Sequence, residues 1–303
     1  MEFREITLQD RDWMRQLLGY SDNRATEFNF TVLFIWRGIM HSKVCRAGDF
    51  FVVKFHPKGA PAPMYFYPAG RGTQQQLKQL LEECMADARE NGFPFQMASV
   101  QSEQKEVIES LFPDKFSFEP NRDYFDYIYS AEDLTFLRGK KFQSKRNFIS
   151  RFKKQEGWSY EPVGEENLKE CGIMSIKWCA KYGCGKNPSM SSESCSVKNA
   201  IENFTELGLC GGLLRLNGEV VAFTLAEKTN SDIETNEKPG RDEMGRIRHF
   251  CHIYFANSRK KCIFVNVKCT LEACKFNFRV CWRPYSEHIS ICLSTWESLS
   301  VVH

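Results

Sequence analysis

The stretch GGLLRLNGEVVAFTLAEK, residues 211–228, is the strongest local indication of fold in this chain. Two apolar runs flank the dipeptide Asn217-Gly218, whose residues tolerate the positive φ angles of a two-residue turn. Such a turn joins two antiparallel strands, so the stretch predicts a β-hairpin.

A similar order of elements occurs earlier in the chain. FFVVKF (residues 50–55) and MYFYP (residues 64–68) have the β-branched and aromatic content of strands. A helix capped by Thr73 and stopped by Gly92 follows, and then a strand over residues 93–100. The recurrence predicts two related modules and an α+β, or mixed α/β, fold class.

We expect the first module to span residues 1–130 and the second to begin near residue 131, opened by a basic helix. The second module extends to residue 228 in this interpretation, and residues 229–303 form a divergent tail. A chain of 303 residues is long enough for two domains of ordinary size.

Residues 138–154, RGKKFQSKRNFISRFKK, concentrate positive charge. They include eight basic residues and no acidic one, whereas the whole chain has 41 Lys and Arg against 38 Asp and Glu. Without this stretch the chain would have 33 basic and 38 acidic residues. The small positive net charge therefore conceals one basic site on an otherwise acidic protein.

The basic stretch also has the periodicity of a helix. Its apolar residues share one face, which can pack on a core: Phe142, Phe148, Ile149 and Phe152. The opposite face carries Lys140, Ser144, Asn147, Arg151 and Lys154. Arg and Lys form charge-assisted hydrogen bonds with phosphates, so this face predicts a polyanion site, with Lys141, Lys145 and Arg146 as further candidates. The alternative is a solvated basic helix without a ligand.

The sequence AGRG, residues 69–72, lies between a predicted strand and the helix capped by Thr73. Glycines at such a junction leave backbone N–H groups free at the positive end of a helix, where a pyrophosphate can bind. Gly70, Arg71 and Gly72 are therefore candidate phosphate-binding residues. An ordinary tight turn is the alternative.

Other candidate chemistry is weaker. Asp123 and Asp126 are close enough in sequence for acid and base roles, but nothing indicates a raised pKa, so we expect structural roles. The cysteines at 171, 179 and 184 lack a fourth ligand or a CxxC pair, so buried thiols are expected and no metal site.

The N-terminus is polar and charged, unlike a signal peptide. No apolar run approaches the roughly 18–20 residues of a membrane span. The sequence therefore predicts a cytoplasmic protein without a transmembrane segment and with reduced thiols.

Several motifs together resemble a bacterial family of unknown function that is related to the C-terminal domain of phosphatidylglycerol lysyltransferase. They are NFTVLFIW, YPAG, FPDKFSFEPNRDYFDYIYSAEDLTFLRGKKFQSKRNFISRFKK, WSYEP and GGLLRLNGEVVAFTL, and they extend from about residue 3 to about residue 228. The resemblance implies two tandem acetyltransferase-like (GNAT) modules. It also implies an acyl or aminoacyl transferase with acyl-CoA or aminoacyl-tRNA as co-substrate and no permanently bound cofactor. An anionic lipid headgroup or a small molecule would be the acceptor.

The tail departs from this family. A His-Ile-Glu-Lys-type motif is expected after Glu227 and an Asn-Arg-Glu-Glu-Asp-type motif near the C-terminus, and neither is present. Residues 246–303 contain six Cys but no Gly or Asp, although short loops depend on such residues. The cysteine spacings match no common zinc finger. We therefore interpret the tail as sequence that is not native to the family, which would leave the second module incomplete.

Two functions follow from these observations. One is a transferase that moves an acyl or aminoacyl group from a CoA or tRNA carrier. The other is a non-catalytic module that binds RNA or anionic headgroups through the basic helix. The sequence does not decide whether the chain is an active enzyme.

Overall fold

The computed structural model describes residues 1–21, 23, 25–119, 136–182, 184 and 188–227, together with the backbone of three short strands further along the chain. Two compact units contain most of the chain, one with Met1–Asp126 and the other with Tyr127–Lys228. Both combine helices with β-sheet, so the predicted α+β class is confirmed. The predicted module limits at residues 130 and 228 lie outside the described residues and stay predictions.

The first unit is built on a six-stranded sheet. Its strands are β1 (Arg4–Glu5), β2 (Lys43–Ala47), β3 (Phe50–Phe55), β4 (Met64–Phe66), β5 (Ala69–Gly70) and β6 (Met97–Ala98). The order is β1-β2-β3-β4-β6, and β5 pairs with β3. Its helices are α1 (Arg11–Ser21), α2 (Phe30–Met40), α3 (Gln74–Glu90) and α4 (Ser102–Leu111), and β7 (Phe116–Glu119) follows.

Among the described strands of this sheet, β4 and β6 form the only parallel pair, which requires a crossover connection. α3 makes the crossover, and a capping box between Thr73 and Gln76 fixes its start, as predicted from Thr73. Its apolar face packs into the core through Leu77, Leu80, Leu81, Cys84 and Ala88. The predicted strand over residues 93–100 is shorter than expected, because only Met97–Ala98 pairs with β4.

The second unit has a three-stranded antiparallel sheet in the order β10-β9-β8. The strands are β8 (Trp158–Pro162), β9 (Cys210–Leu216) and β10 (Glu219–Ala226). Asn217 and Gly218 join β9 to β10 with φ angles of 51° and 83°. This left-handed pair is the turn that the dipeptide predicts, so the hairpin prediction is confirmed.

The helices of the second unit are α5 (Gln143–Lys153), α6 (Glu165–Tyr182), α7 (Pro188–Glu202) and α8 (Phe204–Leu207). A 3₁₀ turn, Lys140–Phe142, leads into α5. Among the described residues, no helix combines the length and hydropathy that a bilayer crossing requires.

The prediction of three free buried thiols was partly wrong. Cys171 is buried and free, but Cys179 and Cys184 form a disulfide. Their Cα atoms lie 5.1 Å apart, which is within the range that a disulfide spans. The spacing in sequence could not show this, because the distance depends on how the chain turns after α6.

Beyond residue 227 the structure describes only the backbone of β11 (Tyr254–Phe255), β12 (Asn266–Val267) and β13 (Ser298–Val301). β11 pairs with β12 in parallel, and β13 pairs with β7 in antiparallel register. The interpretation of residues 229–303 as non-native sequence stays a prediction.

Candidate functional site

Two phenylalanines of the basic stretch, one on each side of its middle, are buried. Phe142, in the 3₁₀ turn, is 2% exposed, and Phe152, in the last turn of α5, is 6% exposed. The ring of Phe152 lies 5.8 Å from that of Trp158 on β8. The indole of Trp158 also donates a hydrogen bond to the carbonyl oxygen of Lys153 at 3.3 Å. The helix is therefore anchored on the sheet at its C-terminal end.

The prediction that Ile149 packs on the core was wrong, because its side chain is 36% exposed. The prediction assumed an uninterrupted α-helix, but Phe142 belongs to a 3₁₀ turn of about three residues per turn. That turn shifts Phe142 relative to α5 but not Ile149 relative to Phe152, since both lie within α5, about 60° apart around its axis. The fold therefore covers the Phe152 edge of the predicted face and leaves the Ile149 edge at the surface. The side chain of Phe148 lies outside the described residues.

The polar side of the helix lies at the surface. Lys140, Ser144, Asn147, Arg151 and Lys154 are all exposed, and we call this set the basic face. Asn147 accepts a hydrogen bond from Gln143 through its Oδ1 at 3.0 Å. The Nδ2 amide nitrogen of the same side chain is a donor and can bind a ligand. A ligand for the basic face stays a prediction.

The remaining candidates on the helix differ in their surroundings. Lys141 places its Nζ 4.9 Å from the centre of the Phe142 ring, and Lys145 is half-buried. Arg146 donates hydrogen bonds to the carbonyl oxygens of Leu137 and Gly139, the latter at 2.8 Å. Both of these residues have positive φ angles, so Arg146 closes the left-handed turn that precedes the helix. This geometry favours a structural role for Arg146.

The glycine junction of the first unit is a tightly packed turn. A Cβ on Gly70 would lie 2.1 Å from the carbonyl oxygen of Asp49, and the φ angle of Gly70 is +137°. A Cβ on Gly72 would lie 2.5 Å from the Phe50 ring. Both positions therefore require glycine for close packing, whether or not a ligand binds there.

Three N–H groups at this junction already have partners. That of Gly70 donates to Ser21 Oγ at 2.8 Å, that of Arg71 to the Asp49 carbonyl at 3.1 Å, and that of Thr73 to Gln76 Oε1 at 2.8 Å. The Arg71 guanidinium lies 4.0 Å from the centre of the Tyr20 ring. A pyrophosphate at the junction would have to use the N–H groups that remain, so phosphate binding by Gly70, Arg71 and Gly72 stays a prediction.

Sequence reasoning missed a buried polar network in the first unit. Asp87 accepts hydrogen bonds from Lys54, at 2.7 Å, and from the hydroxyl of Tyr65. Burial, together with the bond to Asp87, raises the pKa of Tyr65 well above its ordinary range. Asp87 interrupts the apolar face of α3 between Cys84 and Ala88, and this position was the available signal. Asp87 lies on α3, whereas Lys54 lies on β3 and the fully buried Tyr65 lies on β4. The network therefore holds α3 on the sheet.

The described residues contain no group of three or more His, Cys, Asp or Glu side chains placed to hold a metal ion. Asp123 and Asp126, the carboxylates expected to be structural, lie outside the described residues. The geometry therefore presents the basic face as the strongest candidate site in the part of the chain that is described.

The family profile described as "Phosphatidylglycerol lysyltransferase, C-terminal" matches residues 20–236. The match includes the basic face, the glycine junction and the hairpin. It begins later than the predicted residue 3 and ends slightly beyond the predicted residue 228. No curated protein matches the chain.

Solved structures also match. A conserved protein of unknown function from Bacteroides thetaiotaomicron VPI-5482 is 35% identical, with 76% of each chain covered and a TM-score of 0.70. L-PGS from Bacillus licheniformis is 14% identical, with 75% of this chain and 65% of that chain covered and a TM-score of 0.46. A tandem GNAT protein from the clavulanic acid biosynthesis pathway is 11% identical, with 78% and 75% covered and a TM-score of 0.34.

Proposed function

Because the chain belongs to the family of phosphatidylglycerol lysyltransferase C-terminal domains, we propose that it is an aminoacyl-transferase-like protein whose basic face binds an aminoacyl-tRNA donor. The observation that carries the proposal is the exposure of this face on a helix whose ends are anchored by Phe142 and Phe152. A rigid mount keeps the cations in place for a ligand, which reduces the entropy lost on binding.

The dimensions and charge of the helix support a polynucleotide ligand. The basic face runs from Lys140, before α5, to Lys154, after it. α5 alone has 11 residues and is about 16 Å long, so the cations at the two ends of the face can contact different phosphates of one polynucleotide. Residues 138–154 include no acidic side chain that would compete with a phosphate. Ser144 and Asn147 add neutral donors between the cations. An acyl-CoA donor carries fewer phosphates and would use only part of the face.

The acceptor is, in this proposal, an anionic lipid headgroup, because the family description names phosphatidylglycerol lysyltransferase. A small-molecule acceptor is the other option. The two acetyltransferase-like modules that the family resemblance implies would supply the donor and acceptor sites. The proposal assigns no catalytic base.

A second candidate function is favoured by the C-terminal sequence. The family match ends at residue 236, and residues 246–303 lack Gly, Asp and both expected motifs. A chain with an incomplete second module would still present the basic face. It would then be a non-catalytic module that binds RNA or anionic headgroups.

A transfer assay separates these functions. The full chain is incubated with total tRNA charged with labelled amino acids and with vesicles containing phosphatidylglycerol, and label is then counted in the lipid extract. Label in the lipid fraction supports the transferase. Bound tRNA without any labelled lipid or labelled soluble product would overturn the transferase in favour of the non-catalytic module.

A further inference from the structure

The ring of Tyr160 lies on the backbone of a neighbouring strand and is still exposed to solvent. Tyr160 is the middle residue of β8 and is 40% exposed. On β9, a Cβ at Gly212 would come within 2.6 Å of the Tyr160 Cε2 atom and within 2.7 Å of its hydroxyl oxygen. The ring therefore occupies the space that a side chain at position 212 would fill. This support from β9 fixes the orientation of an exposed aromatic ring.

Tyr160 is on the same side of the sheet as the basic helix. Side chains two positions apart on a strand point to the same face, so Tyr160 shares a face with Trp158, about 7 Å away along β8. Trp158 packs against Phe152 in the last turn of α5, which places that turn over this face. The exposed ring of Tyr160 is thus next along the strand from the C-terminal end of α5.

The charges around this end of α5 are mostly positive. Side chains alternate along a strand, so Glu161 points to the opposite face, where it accepts a hydrogen bond from Arg215 at 2.8 Å. Between α5 and β8 there is one exposed carboxylate, that of Glu156. The last turn of α5 and the residue after it carry three exposed cations, Arg151, Lys153 and Lys154.

We infer that Tyr160 stacks on an unpaired nucleobase of the donor while the cations at the end of α5 bind the adjoining phosphates. Stacking requires an exposed ring and tolerates any base, because every base has a π-face. Unpaired RNA ends present such bases, whereas a duplex keeps its bases stacked inside the helix. The inference rests on the proposed function and deepens it. It makes Tyr160 a positioning residue for the unpaired end of the tRNA, which carries the aminoacyl group.

A purely structural role is the alternative for Tyr160. An aromatic ring laid across a glycine of the next strand stabilises a sheet without any ligand. That role predicts that removing the ring lowers stability and affects single-stranded and duplex RNA equally. Stacking predicts that only the affinity for an unpaired base depends on the ring, and that phenylalanine can replace tyrosine.

The test is fluorescence anisotropy of the full chain with labelled single-stranded oligoadenylate and with a labelled RNA duplex of equal length. Both probes contact the basic face through phosphates. Tyr160→Leu is expected to bind the single strand about 5–150-fold more weakly and the duplex as wild type does. Tyr160→Phe keeps the ring and is expected to bind both as wild type does. Ile176→Ala, at an exposed apolar residue of α6, is the matched control and should also bind both as wild type does.

Coenzyme A also carries an unpaired base beside phosphates, so it is titrated against wild type and Tyr160→Leu by calorimetry. Coenzyme A binding that Tyr160→Leu abolishes, in a chain that binds no RNA, would sustain the stacking and count against the proposed tRNA donor alone.

The inference would be overturned if Tyr160→Leu bound the single strand and coenzyme A as wild type does. An equal loss on single strand and duplex, or a loss in Tyr160→Phe as large as in Tyr160→Leu, would overturn it too. If RNA binding in these cases kept its steep salt dependence, the stacking would fail and the proposed donor would stand. A wild type that bound neither RNA nor coenzyme A would contradict both.

Discussion

The Phe152 ring packs against the Trp158 ring, with 5.8 Å between centres and 54° between planes. This contact joins the last turn of α5 to the first residue of β8. Phe152→Ala should therefore cost about 3–5 kcal/mol of unfolding free energy, because it leaves a cavity under the helix. Chemical denaturation measures the loss.

Ile149→Ala is the control for that variant, since Ile149 is exposed on the same helix. Surface substitutions usually change stability by no more than about 0.5 kcal/mol. A large loss for Ile149→Ala, or none for Phe152→Ala, would show that the helix is held in another way.

Arg146 should act on stability more than on ligand affinity, because its guanidinium donates to the carbonyls of Leu137 and Gly139. Arg146→Lys keeps the charge but loses the forked donor geometry, so we expect a loss of about 1.5–3 kcal/mol with little change in tRNA affinity. Arg151→Lys, on the basic face, is the comparison and should leave stability unchanged. Equal stability of the two variants would argue against the structural role of Arg146.

Asp10 should make the first unit sensitive to acid. Burial alone would raise the pKa of Asp10, but hydrogen bonds from Arg4, Thr7 and Trp13 outweigh burial and hold the pKa well below its usual range. The folded state therefore binds this proton less readily than the unfolded state does. The stabilisation is complete above the unfolded pKa of about 3.9 and is lost as the pH falls towards the folded pKa.

Denaturation midpoints between pH 7 and pH 2.5 check this expectation. Asp10→Asn should be less stable than wild type at pH 7 and should lose less stability below about pH 4. Asp12→Asn, at an exposed position in the first turn of α1, should follow the wild-type curve. If Asp10→Asn showed the same acid slope as wild type, Asp10 would not be the responsible group.

Gly70→Ala should be far more harmful than Gly48→Ala, although both glycines have positive φ angles. A Cβ at Gly70 would meet backbone atoms of Asp49 and Phe50, whereas one at Gly48 has nothing within 4 Å. We expect a cost of at least about 3 kcal/mol at Gly70 and about 1–2 kcal/mol at Gly48. Similar costs, measured as shifts in the denaturation midpoint, would mean that the junction can rearrange.

The features that sequence predicted well depend on neighbouring residues. Asn217-Gly218 forms the turn and Thr73 caps α3 because each uses backbone groups within a few residues. The sequence also predicts a helix over residues 165–182, and α6, Glu165–Tyr182, has those bounds. A second helix is predicted over residues 194–207, because Val197, Ile201 and Phe204 share one face. In the structure this helix begins earlier, at Pro188, and is interrupted at Asn203.

The features that sequence missed depend on contacts that local periodicity does not specify. The role of Arg146 follows from the turn at Leu137 and Gly139, and the exposure of Ile149 follows from the fold covering only the Phe152 edge of the predicted face. The network of Asp87 joins residues more than 20 positions apart. Periodicity locates a face on a helix, but it does not show how much of that face the rest of the fold covers.

The most direct test of the central claim is a tRNA titration of wild type and the variant Lys140→Ala/Arg151→Ala/Lys154→Ala at several salt concentrations, followed by fluorescence anisotropy. Phosphate contacts release counterions, so wild-type affinity should fall steeply with salt, and losing three contacts should reduce the slope by about 2–3. The denaturation midpoint of the variant should stay that of wild type, because all three side chains are exposed. Equal affinity and equal slope for the two proteins would contradict the assignment of a polyanion to the basic face.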